Sequence, residues 1–245
     1  MTTISLNSAR ALVLVWAGGV AFEYRALAWP HAAYLFHLHT VAAALFVVCV
    51  VFATASALDG RSWRGSTDEV IENPNRSSKL RAHRTQMFGV VAISAITASL
   101  MVYKKQAGGQ GLLILSGRMP SKHSLSAIVW TLLEFSLVAS GALIYINKKA
   151  EDPPAPLKAI ATGAFGSLGA ARKKVKPLHR IVGCIACTVA MGVAAIGLTE
   201  YGTFAANPLR YSLAALLVVI WAIMWASDIV GRLGLGTRRK ESRFL

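Results

Sequence analysis

Acidic residues are scarce in this 245-residue chain: 11 Asp and Glu stand against 26 Lys and Arg, a formal net charge of +15. Charges of both signs together make up only 15% of the residues, against about a quarter in a typical soluble domain. That shortage excludes an ordinary water-facing surface. Cysteine is also rare. Cys49, Cys184 and Cys187 form an odd set inside apolar runs, which excludes a disulfide framework. Cys184-Ile185-Ala186-Cys187 has C-x-x-C spacing, but within an apolar run it reads as small-residue packing, not redox or metal chemistry. No polar stretch is long enough for a separate soluble domain.

What is abundant is apolar. Hydrophobic residues make up 55% of the chain and the mean hydropathy is +0.51. Long apolar runs separated by basic clusters mark a polytopic helical membrane protein, an all-α six-helix transmembrane bundle. The runs predict helices over Ala9 to Trp29, His31 to Leu58, Ala82 to Tyr103, Lys122 to Ile146, Pro177 to Thr199 and Pro208 to Val230. A polar tail (1–8) and a basic tail (231–245) flank this domain (9–230). Ala26-Leu27-Ala28 has the look of a signal-peptidase site, but Glu23 and Arg25 just upstream favour a retained helix. Asn73-Pro74-Asn75, a glycine-rich stretch ending at Pro120, and Pro153, Pro154 and Pro156 mark the connections.

Six spans place both termini on one side. About 20 of the 26 basic residues then fall on that side, including Arg172, Lys173, Lys174 and Lys176. By the positive-inside rule it is the cytosol, or the matrix or stromal equivalent in an organelle. The excess charge thus encodes topology, and nucleic acid is not an expected partner.

Histidines sit where runs enter the bilayer. Lys176-Pro177-Leu178-His179 opens one run of about 20 apolar residues, long enough for a core about 30 Å thick. Ser121-Lys122-His123-Ser124 opens another, and Arg81-Ala82-His83-Arg84 a third. His39 lies in the outer half of helix 2. Helices 3 and 5 enter from the inner side, so His83 and His179 share the inner level; His39 and His123 share the outer one. Facing imidazoles on bundle helices are what a six-coordinate haem iron takes. One turn further on stand Ala43, Ala127 and Gly183, small enough to leave room for a flat macrocycle, although Met87 breaks the pattern. A histidine at a helix end also serves as a plain interfacial anchor; two level-matched pairs favour ligation. His37, roughly 200° around the helix from His39, cannot face the bundle at the same time. His31 reads as an inert interface residue.

Ser-x-His-Ser at Ser121 to Ser124, Leu-His-x-x-x-Gly at Leu178 to Gly183 and Gly-Leu-Thr-Glu at 197–200 resemble cytochrome b561, the transmembrane ascorbate-dependent reductases. Arg81-Ala82-His83 and the histidine in the outer half of helix 2 fit the same pattern, and the resemblance covers roughly residues 30–210. It implies two haem b groups in a four-helix core of helices 2–5, with His39 and His123 on the outer iron and His83 and His179 on the inner one. It implies ascorbate, or another cytosolic-side reductant, as donor and monodehydroascorbate or ferric iron as acceptor. Lys79, Arg81 and Arg84 occupy the donor-site position, and Lys122 flanks the outer histidine. Such basic residues attract an anionic donor; they also suit topology and anionic lipid headgroups. Proteins of that family are often homodimers, although no stretch of this chain specifies an interface.

The chain departs from that pattern in places. Helix 2 ends in Ala-Ser-Ala-Leu-Asp-Gly-Arg instead of a Leu-Val-Tyr-Arg type stretch, and Ser-Lys-His-Ser is followed by Leu125 instead of Trp. These losses touch ascorbate specificity more than haem binding. A non-catalytic or haem-carrying accessory subunit of a larger respiratory or photosynthetic membrane complex is the second expectation. A transporter is third, lacking repeats and broken helices. Glu134, 11 residues after His123, lies roughly 16 Å deeper on the same face. It reads as a structural hydrogen-bonding group or as a proton carrier for haem reduction.

Overall fold

A computed structural model describes residues 2–25, 33–59, 63–64, 70–71, 75–107, 121–149, 163, 168–199 and 207–232. They form helices α1 (Thr2–Glu23), α2 (Tyr34–Asp59), α3 (Arg76–Ala107), α4 (Lys122–Lys149), α5 (Leu168–Thr199) and α6 (Pro208–Arg232). The strands β1 (Trp63–Arg64) and β2 (Val70–Ile71) pair antiparallel after α2, Trp63 opposite Ile71. The architecture is otherwise all-α.

Five helices are long and apolar enough to cross a membrane, over Tyr34–Asp59, Arg76–Gln106, Lys122–Ile144, Lys174–Thr199 and Pro208–Ile229. The sequence predicts six spans, and α1 is the difference: Asn7, Ser8 and Arg10 occupy its first half and Glu23 ends it. It also begins at Thr2 and not at Ala9, so the predicted polar tail is helical from Thr2. In the same way α3 begins at Arg76, ahead of Ala82, and α5 at Leu168, ahead of Pro177. Lys, Arg, Leu and Ala are strong helix formers, and hydropathy marks where a helix crosses the bilayer, not where it starts. His31, the glycine-rich connection, the proline-rich linker, Glu200 and residues 233–245 lie outside the described residues.

The chain divides into two units, residues 1–120 with 194–245, and residues 121–193. In the first, α1 packs against α2 and α6, and α2 packs against α3. α1 buries Leu6, Ala9, Val13, Trp16 and Val20, and α6 buries Leu213, Leu217, Ile220 and Met224. Both sets step by three or four residues, the spacing of a single helical face. At Gly19 an added Cβ would lie 2.6 Å from Leu213 Cδ2, so α1 and α6 approach closely there. α2, with Phe36, Phe46, Val47, Val50, Val51 and Leu58 buried, is the centre of this unit.

Helix directions follow from the ion pairs. Arg210 Nε, near the start of α6, donates to Glu23 Oε1 at the end of α1, 2.8 Å away. α1 and α6 are therefore antiparallel, and α1 begins at the end of the unit where α6 finishes. At that end Asp59 Oδ2 accepts from Arg10 (3.1 Å) and pairs with Lys79 (3.4 Å), joining the first half of α1, the last turn of α2 and the first turns of α3. The Asp59 side chain is 7% exposed. Asp59→Ala removes one acceptor from two cations. It is expected to lower the unfolding free energy in detergent by about 1–3 kcal/mol, read from a denaturant titration.

In the second unit, α4 and α5 run antiparallel. Trp130 and Leu137 are buried on α4, and Ala186, Cys187, Ala190 and Met191 on α5. In each unit large apolar side chains stand outward, Phe88 on α3 of the first 79% exposed and Phe135 on α4 of the second 71% exposed. In water such surfaces would be costly; against lipid they are the expected face. The protein is a multi-pass membrane protein in contact with lipid.

Candidate functional site

In the first unit two histidines reach across the antiparallel α2–α3 pair in opposite directions. His39 on α2 donates Nδ1–H to the Thr97 carbonyl on α3 (3.1 Å). His83 on α3 donates Nδ1–H to the Ala53 carbonyl on α2 (2.8 Å). A carbonyl oxygen only accepts, so in the neutral form of both rings Nδ1 carries the proton and Nε2 the lone pair. Nε2 in that form is a metal-binding nitrogen, and an anchored Nδ1–H is what orients a ligating histidine. The residues between His39 and Ala53, and between His83 and Thr97, number 14 steps each. The two rings thus belong to levels about 21 Å apart along the helices.

The two histidines of α2 meet different surroundings. His37 hydrogen-bonds through Nδ1 to the Tyr24 carbonyl at the end of α1 (2.9 Å), while His39 turns to α3. Phe36 lies between these surroundings, its ring 5.8 Å from Tyr24 and 6.2 Å from His39, with Lys104 Nζ 4.6 Å above it.

The second unit repeats the arrangement. His123 on α4 donates Nδ1–H to the Val193 carbonyl on α5 (3.1 Å). His179 on α5 meets Ser140 Oγ on α4 through Nδ1 (2.8 Å). Val193 is 14 residues beyond His179, again about 21 Å along the axis. Of the small residues expected to clear space, Ala43 and Ala127 are half-buried, and a Cβ on Gly183 would stand 3.8 Å from Leu137 Cδ2, ordinary contact. Gly141 is tighter, since its Cβ would come 3.3 Å from His179 Cε1. Glu134 is buried, 8% exposed.

The basic residues divide. Lys79 is tied to Asp59, whereas Arg81, Arg84 and Lys122 are exposed, and Arg84 Nε donates to the Leu80 carbonyl (3.3 Å). The serines of Ser-x-His-Ser have a local role: Ser121 Oγ accepts from the Ser124 amide (3.1 Å) and caps α4. Among the described residues no three His, Cys, Asp or Glu side chains gather as a metal cluster. Haem iron takes two histidines, so the donor chemistry fits that group without one.

No residue pattern marks the carbonyl acceptors, because every residue has one. Ser140 was visible only as a hydroxyl beside a glycine in an apolar run. Arg10, Asp59, Glu23 and Arg210 were visible as opposite charges at run ends. Compared with known proteins, no model of a protein family matches the chain, and no curated protein matches it significantly.

Proposed function

We propose that this protein is a transmembrane electron-transfer protein carrying two b-type haems, ligated by His39, His83, His123 and His179, paired as the resemblance implies. One observation carries the reading. All four rings have Nδ1 held by an acceptor on the neighbouring helix of their own unit, which leaves Nε2 in the ligating form. Interfacial anchoring alone asks for no such uniform tautomer. Haem b supplies one-electron iron chemistry when bound; the chain's residues hold the rings, set their tautomer and exclude water. Two levels about 21 Å apart suit passage through a core about 30 Å thick.

Helices 2–5 form the haem core in this reading, α1 is the sixth span, and the basic-rich side faces the cytosol or its organellar equivalent. Arg81 and Arg84, exposed beside His83, attract an anionic reductant such as ascorbate; Lys79 supports them from its pair with Asp59. Lys122 stands beside His123 for an outer acceptor, monodehydroascorbate or ferric iron.

The test is a reduced-minus-oxidised spectrum of the purified protein with haem quantified per chain. Two b-type haems reduced by ascorbate are expected. Two haems left oxidised by ascorbate but reduced by dithionite would transfer the donor role to another reductant, as in an accessory subunit of a larger complex. A chain that takes up no haem overturns the reading.

A further inference from the structure

Three of the four candidate ligands give Nδ1–H to a backbone carbonyl, whereas His179 meets a side chain. The Ser140 hydroxyl lies 2.7 Å from the Ser136 carbonyl and 3.2 Å from that of Leu137. Were its proton turned to His179, the serine oxygen would face two carbonyl oxygens with lone pairs alone. It therefore donates into its own helix, the usual habit of serine in an apolar helix, and accepts Nδ1–H from His179. The result is a relay, His179 Nδ1–H to Ser140 Oγ–H to the carbonyl of Ser136. Beside it, Gly141 offers the ring a surface with no Cβ, and a methyl there would press on Cε1 from 3.3 Å.

We propose that Ser140 and Gly141 are the seat of His179, and that Ser140 tunes the potential of the haem His179 ligates. The inference rests on the haem reading above. An acceptor on Nδ1–H makes Nε2 a stronger electron donor and favours ferric over ferrous iron. A hydroxyl can be deleted by a single substitution, whereas the carbonyls serving His39, His83 and His123 cannot. Ser140 is thus a positioning residue, and the His179 haem is the centre of the two whose potential a side chain on α4 sets.

A redox titration followed optically, with the ferric signals read by electron paramagnetic resonance, tests this. In Ser140→Ala one of the two midpoints is expected to rise while the other stays at its wild-type value. Ser140→Cys, of similar size but a poorer acceptor, is expected to move the same midpoint the same way, and Ser140→Thr to restore it. Gly141→Ala should alter the ferric signal of that same haem. Loss of one haem in Ser140→Ala with retention in Ser140→Thr also supports the seat. Unchanged midpoints in both Ser140→Ala and Ser140→Cys, both midpoints moving together, or haem loss in Ser140→Thr as well would overturn it. These outcomes are separate from failure of the haem reading, which shows as a wild-type chain without haem.

Discussion

Alanine at His179 is expected to cut the haem content from two per chain to one and to remove one of the two redox transitions. Iron bound by two imidazoles loses half its protein ligands, and the remaining bond does not hold the group through purification. His39→Ala, His83→Ala and His123→Ala are expected to do the same. His37→Ala is the control. Its ring hydrogen-bonds to the Tyr24 carbonyl at the end of α1, away from α3, so two haems should remain. Pyridine haemochrome assay against protein concentration reads the stoichiometry. A His179→Ala protein that still holds two haems, or a His37→Ala protein that holds one, would sink the assignment of ligands.

The second large effect is expected at Glu23. Its Oε1 accepts from Arg210 Nε and from Asn207 Nδ2, each 2.8 Å away, and the two paired side chains are only 9% and 5% exposed. Asn207 meanwhile caps α6, its Oδ1 accepting from the Leu209 amide at 2.9 Å, and the Arg210 guanidinium lies 4.8 Å from the Tyr24 ring centre. Glu23→Ala leaves a buried guanidinium without its carboxylate, which costs about 3–5 kcal/mol. The expected result is a fall of that size in unfolding free energy in detergent. Replacing both partners together, as in Glu23→Leu with Arg210→Met, is expected to recover most of it, because the cost lies in the uncompensated charge. A single substitution that costs under about 1 kcal/mol would show that the pair is solvated and does not join α1 to α6.

These two effects fall on different kinds of information. In the proposed reading haem content would depend on residues that stand out in the sequence, since a histidine within an apolar run is costly and conspicuous. The Glu23–Arg210 pair joins residues 187 positions apart. Each of its members is readable as a charge at the end of a run, but neither names its partner.

Helix limits show the same division. The apolar runs of α2, α4 and α6 lie close to the helices observed, because there the polar flank and the helix end nearly coincide. They part at α3 and α5, where basic residues continue the helix outward from the bilayer-spanning segment, through Pro177 in the second case. At α1 the polar residues stay inside the helix, so a sixth run reads as a span while, among the described residues, five helices meet the length and hydropathy needed to cross.

By itself the sequence determined that this is a helical membrane protein, with histidines at the mouths of three apolar runs and another inside a fourth. Those properties are sums over neighbouring residues, and a linear chain displays them. Only the tertiary structure decided that His39 and not His37 turns to α3, that each imidazole has its Nδ1 held by an acceptor, and that Ser140 is one of those acceptors. A hydrogen bond is decided by direction and by tenths of an ångström. Those are set when helices distant in sequence pack at one register, and no local pattern of residues carries them.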